Sequence, residues 1–154
     1  MKARAIIVAM VVCFGAALCF AAEDAWIGTW KLNEAKSKIG PGAPNNTKVV
    51  YETAGDSVKV TVEGKDSEGK ATHNEWTGKF DGKEYAVTGD PNSDMRSYKK
   101  VNDRTLTFSN TKGGKIMLSG RIVLSADGKS RTVTATGTDA QGKKVTSTAV
   151  YDKE

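Results

Sequence analysis

Past an apolar N-terminal stretch, no part of the chain keeps apolar residues at the 3.6-residue spacing of a buried helix face. Short runs instead alternate apolar and polar positions at period two and are rich in Val, Thr, Tyr and Trp. That alternation predicts half-buried strands, and glycine-containing turns interrupt it at intervals of roughly 8 to 12 residues. The pattern predicts strands near 26–32, 47–53, 56–64, 71–80, 83–88, 94–101, 105–110, 115–125, 130–138 and 143–152. The one long connection, 33–46, carries Pro41, Gly42 and Pro44 near its end and allows a short helical turn over Asn33–Lys38. The expected fold is all-β: an antiparallel up-and-down meander of about ten strands closed into a barrel, with an eight-stranded count as the alternative.

Turn chemistry sets the register. Asp81-Gly82 and Asp127-Gly128 read as two-residue type I′ hairpin turns, which need positive φ at both central positions. Ser67-Glu68-Gly69 and Ala140-Gln141-Gly142 read as three-residue loops with glycine in the left-handed position. Counting outward, Val60 meets Trp76, Val62 meets Asn74, Trp76 meets Val87 and Gly78 meets Tyr85. Ile122 likewise meets Val133, Leu124 meets Arg131, Val133 meets Ala149 and Arg131 meets Tyr151. These pairings gather apolar side chains on one face, which a one-residue slip would scatter. The motif Val60-Thr61-x-x-Gly64-x-Asp66-x-x-Gly69-Lys70 also recurs as Val133-Thr134-x-x-Gly137-x-Asp139-x-x-Gly142-Lys143. Either two halves share an origin or similar hairpins use similar residues.

The N-terminal stretch reads as an address. Lys2 and Arg4 precede an apolar run from Ala5 to Phe20, and the small residues Ala21 and Ala22 precede Glu23 and Asp24. This is the pattern of a secretory signal, and the run is short for a bilayer span of roughly 20 residues. Residues 1–21 are expected to be cleaved, leaving 22–154 as one barrel domain that is secreted or periplasmic. A lipid anchor on Cys19 is the rival, disfavoured by Leu18 where a small residue is expected. Cleavage removes Cys13 and Cys19, so the mature chain has no thiol chemistry and no disulfide. Removing Lys2 and Arg4 takes the 23 basic residues to 21 against 18 acidic ones, about +3. That charge suits solubility and does not point to a nucleic-acid partner.

Candidate chemistry is sparse. His73 is the one histidine and falls on the solvent face opposite Glu63, beside Glu75, as a polar surface pair. Nothing resembles a G-x-S-x-G elbow, a metal cluster or paired catalytic carboxylates, so no catalytic residue, metal or cofactor is expected. Asp90-Pro91-Asn92-Ser93-Asp94 gathers oxygens without the glycine and distal Glu of a calcium loop. Arg96-Ser97-Tyr98-Lys99-Lys100 reads as a solvated basic strand or as a face for an anionic surface. Trp30 and Trp76 are expected inside, mainly as packing.

Trp26-Ile27-Gly28-Thr29-Trp30 resembles the G-x-W opening of the lipocalin and fatty-acid-binding (calycin) proteins, whose tryptophan plugs the barrel base. The close Thr148-Ala149-Val150-Tyr151-Asp152-Lys153 resembles the T-R-x-Y-x-K ending of fatty-acid-binding proteins. Ala149 stands where that ending has the arginine that grips a carboxylate, and their two-helix lid has no counterpart unless 33–46 holds a remnant. The chain also resembles small exported bacterial lipocalin-like proteins without assigned activity. The resemblance implies a barrel that binds one small, partly apolar ligand. The inner face mixes Trp30, Trp76, Tyr85, Val60, Leu124 and Val133, with space left by Ala135, Ala149 and Ser147. Arg131, opposite Tyr151, could recreate from the neighbouring strand the clasp that Ala149 lacks, or could snorkel to water past the barrel end. The ligand-contacting set is therefore Trp30, Trp76, Tyr85, Arg131 and Tyr151, in a monomer without nucleic-acid partner or membrane anchor. A non-catalytic structural or interaction module with a filled barrel is the alternative.

Overall fold

The computed structural model describes residues 25–139 and 141–154. The expected export segment, with Cys13, Cys19 and the cleavage point, lies outside the described residues, as does Ala140 of the last expected loop. The strands are β1 (Gly28–Leu32), β2 (Lys38–Ile39), β3 (Asn45–Ala54), β4 (Ser57–Lys65), β5 (Ala71–Gly78) and β6 (Asp81–Thr88). They continue as β7 (Met95–Asn102), β8 (Thr105–Lys112), β9 (Lys115–Leu124), β10 (Ser130–Thr138) and β11 (Lys144–Lys153). From β3 to β11 each strand pairs antiparallel with the next, and β1 lies between β3 and β11. Ten strands thus form the expected closed meander, and β2 adds outside the ring along β11. Closure removes the long unpaired edges that would template aggregation.

Alternation makes the wall two-sided. On β4, Val58, Val60 and Val62 are buried while Lys59, Thr61 and Glu63 point outward. The register follows the turn-based expectation at Val60–Trp76, Val62–Asn74 and Trp76–Val87. It also holds at Leu124–Arg131, Ile122–Val133, Val133–Ala149 and Arg131–Tyr151. Gly78 and Tyr85 are the exception. β5 and β6 stay in register at Glu75–Thr88 and Trp76–Val87 and then part. A Cβ at Gly78 would lie 2.5 Å from the Tyr85 ring, so that ring occupies the space a cross-strand partner would need. The Phe80 carbonyl accepts instead from the Lys100 amide at 3.1 Å.

Two of the turns differ from their expected type. Among the described residues no residue other than glycine has positive φ, so neither Asp81-Gly82 nor Asp127-Gly128 is a type I′ turn. Aspartate in the left-handed region would cost about 1–2 kcal/mol. Each carboxylate instead accepts the amide two residues on, Lys83 N and Lys129 N, both at 3.0 Å, at an ordinary φ. The β9–β10 loop widens symmetrically, closed by Ser125 and Ser130, so its register survives the change of turn type. The three-residue loop after Asp66 is as expected, with Gly69 at φ +80° and the Asp66 carboxylate accepting from Glu68 N and Lys70 N. Asp139 accepts from Gln141 N and Lys143 N in the same way. The sequence echo therefore corresponds to two matched hairpins, β4–β5 and β10–β11.

The 33–46 connection holds a 3₁₀ turn, Glu34–Lys36, and β2, with no helical lid. It ties the first strand to the last. Asn33 Nδ2 donates to Asp152 at 2.7 Å, and the Val150 amide donates to Ser37 Oγ at 2.9 Å. The core is aromatic: Trp26, Trp30, Trp76 and Tyr51 are fully buried with Val60 and Leu106.

Candidate functional site

Strand alternation carries Arg131 inward on β10, between Leu124 and Tyr151, at 2% exposure. It does not snorkel. Its guanidinium carbon sits 4.9 Å from the Trp30 ring centroid, 4.8 Å from Tyr51 and 4.9 Å from Tyr151. Three π faces thus enclose the charge, each attracting it by about 0.5–2 kcal/mol. Nε and Nη1 are buried without a hydrogen-bond acceptor among the described residues. An arginine cannot shed its proton to escape such a place.

The surrounding rings are themselves fixed. Trp30 Nε1 donates to the Trp26 carbonyl at 3.0 Å, and Lys153 Nζ lies 5.2 Å from the Trp30 centroid. The Tyr151 hydroxyl donates to the Asn46 carbonyl at 2.9 Å, beside a bulge between Asn46 and Lys48 on β3. Burial pushes the Tyr151 phenol up to about 12 although Arg131 pulls the other way. Burial likewise raises Tyr98, with Tyr51 adding to the effect and Arg96 and Arg131 opposing it. At neutral pH both phenols are uncharged, so neither Tyr98 nor Tyr151 neutralises Arg131.

No family model and no curated protein matches the chain. Among solved structures it is similar to EF1p2_mFAP2b bound to DFHBI, at 13% identity and a TM-score of 0.49, over 86% of this chain and 97% of that one. It is also similar to a redesigned beta barrel, mFAP1, bound to DFHBI, at 15% identity and a TM-score of 0.45, over 86% and 98%.

Of the residues expected at a ligand, Trp30, Arg131 and Tyr151 come together. Trp76 and Tyr85 form a second group, edge to face at 5.8 Å, with Phe80 stacked on Trp76. The Tyr85 hydroxyl turns away to Asp81 Oδ2 at 2.9 Å. Tyr98 joins the groups, 4.8 Å from Trp76 and 6.5 Å from Tyr51. Sequence reading missed Tyr51, Tyr98 and the buried Trp26. A signal for Tyr51 was present: Gly55-Asp56 is a two-residue loop with glycine first at φ +64°, and counting from it sets Tyr51 opposite Val60.

The stretch expected as a solvated basic strand is split between faces. Arg96 points inward, bonded to Asn110 at 3.0 Å, Asn74 at 3.1 Å and Asp90 at 3.4 Å, and its carbonyl accepts from Trp76 Nε1. Asp90, part of the oxygen-rich loop, also accepts from Ser93. His73 is exposed, opposite Glu63 and 3.4 Å from Glu75, as expected. No group of metal-ligand side chains occurs among the described residues, and no helix there is long and apolar enough to cross a membrane.

Proposed function

We propose that this chain is an exported, non-catalytic binding protein for a small, partly apolar acid, whose carboxylate is held by Arg131. One observation carries the reading: a guanidinium enclosed in the barrel wall with two nitrogens, Nε and Nη1, that have no acceptor among the described residues. Dehydrating such an ion costs several kcal/mol, which a paired anion offsets best when hydrogen bonds complete it. A carboxylate meets the planar fork of arginine with two hydrogen bonds, and the neighbouring Trp30, Tyr51 and Tyr151 suit an apolar tail. The resemblance of Trp30 and Tyr151 to calycin end motifs points to the same ligand class.

The test compares palmitic acid with methyl palmitate, followed by tryptophan fluorescence, in the wild type and in Arg131→Gln. The wild type should prefer the acid at least tenfold, and the variant should lose that preference while keeping its affinity for the ester. Equal binding of acid and ester by the wild type rejects the proposal. The second reading, a filled barrel acting as an interaction module, draws support from the three tryptophans packed inside. It requires that neither compound bind.

A further inference from the structure

The outer wall over β8–β11 has its own recess, remote in chemistry from the Arg131 box. A trough of about 780 Å³ lies there, and a second of about 380 Å³ shares Ser119 and Thr136 with it and reaches Lys144. Strand register makes its floor regular. Thr107 pairs with Arg121, Arg121 with Thr134, Thr134 with Thr148, and Thr148 with Lys38 on β2. A parallel row sets Ser119 beside Thr136 and Thr136 beside Thr146. On these strands the inward set is Phe108, Gly120, Ala135 and Ser147, so the rows of hydroxyls and cations face out. With strands about 4.8 Å apart, Arg121 and Lys38 stand roughly 14 Å apart across the trough.

The charges in the trough are of one sign. Lys38, Arg121 and Lys144 line it, and no carboxylate does. None of the three enters a salt bridge among the described residues, whereas Lys31, Lys48, Lys59, Lys79 and Lys100 on the same molecule do. Thr134, Thr136 and Thr146 are exposed. The surface therefore offers hydroxyls that both donate and accept, interspersed with spaced, unneutralised cations.

We propose that this trough binds an acidic polysaccharide, its carboxylates meeting Lys38, Arg121 and Lys144 and its hydroxyls meeting the threonine rows. Charge complementarity selects an anion, and the regular hydroxyls select a hydroxylated polymer. A protein partner would call for buried aromatic or aliphatic anchors, and single-stranded nucleic acid for stacking rings. No aromatic side chain stands in the outward rows, Phe108 belonging to the inward set, and the aliphatic side chains Ile116 and Met117 lie only at the Lys144 end. The site is independent of the Arg131 ligand.

The experiment is affinity electrophoresis and calorimetry of the mature chain with polygalacturonic acid, alongside dextran and double-stranded DNA. The variants are the pairs Lys38→Glu with Arg121→Glu and Thr134→Val with Thr136→Val, with thermal melting by circular dichroism as the fold check. Valine keeps the β-branched shape, so the threonine pair reports on hydroxyls even where charge reversal lowers stability. The wild type should bind polygalacturonate and neither dextran nor DNA, and each variant pair should weaken binding at least tenfold. Absence of polygalacturonate binding overturns the proposal. So does DNA bound as tightly, which marks a general polyanion face, or binding that survives both variant pairs. Palmitate binding should be unchanged in the variants, which separates failure here from failure of the interior site.

Discussion

A guanidinium ringed by Trp30, Tyr51 and Tyr151 has given up nearly all of its water, and π faces return part of that hydration without satisfying Nε and Nη1. Replacing a buried ion by an apolar side chain of similar length is often neutral, or stabilising by about 1–4 kcal/mol. Arg131→Met is therefore expected to leave urea-unfolding stability equal or higher while abolishing preference for acids over esters. A loss of several kcal/mol would make the arginine a packing residue instead. The phenols nearby give a pH signature. Tyr151 holds its proton to about 12 when folded and to about 10 when unfolded, and Tyr98 shifts the same way. Between those values the folded state binds more protons, so stability is full below pH 10 and falls as pH rises toward about 12. Tyrosinate absorbance and circular dichroism, followed together in an alkaline titration, should show the buried tyrosines ionising with unfolding. Ionisation of Tyr98 and Tyr151 near pH 10 in a folded chain would contradict their burial. Arg131 was legible in the sequence because register alone carries a charge onto an apolar face. Its enclosure was not, because that depends on Tyr51, contributed from across the closing seam.

The strands were legible because period-two alternation and β-branched residues act locally, and wall register followed from counting away from the turns. Turn type was less legible, since Asp-Gly is compatible with more than one loop and the aspartate carboxylate decides by capping the amide two residues on. β2 carries no periodicity of its own. It forms because the Asn33–Ser37 clasp holds the chain against β11, a tertiary effect. The matched hairpins allow a paired test. Gly69 and Gly142 have φ of +80° and +79°, and nothing lies within 4 Å of where a Cβ would be. Alanine at either position meets no clash, and its cost is conformational, about 1–2 kcal/mol. Gly69→Ala and Gly142→Ala should thus lower unfolding stability by similar amounts in chemical denaturation. A marked inequality would show that the two loops share sequence but not backbone geometry.

A ligand reaches the interior of a closed barrel through an end or by parting the wall, and the seams of this wall differ in what holds them. β10 and β11 stay in register from Ser130–Asp152 to Thr138–Lys144, a continuous ladder of main-chain bonds. β5 and β6 stay in register at Glu75–Thr88 and Trp76–Val87 and then diverge around the Tyr85 ring. Beyond that point the seam is held by side chains, with Phe80, Trp76 and Tyr85 packed together. Behind it stand Tyr98 and Tyr51, and Tyr51 touches Arg131. Local opening takes the least free energy where few backbone bonds break, so this seam is the expected route from solvent to the guanidinium. Hydrogen exchange read by mass spectrometry should find residues 77–86 exchanging faster than 130–138 and 144–153 in the native state. Saturating palmitate should slow exchange in 77–86 and in the facing part of β7 more than in β10 and β11. If 77–86 is as protected as the β10–β11 hairpin, this seam does not open, and a ligand of Arg131 must reach it from one end of the barrel.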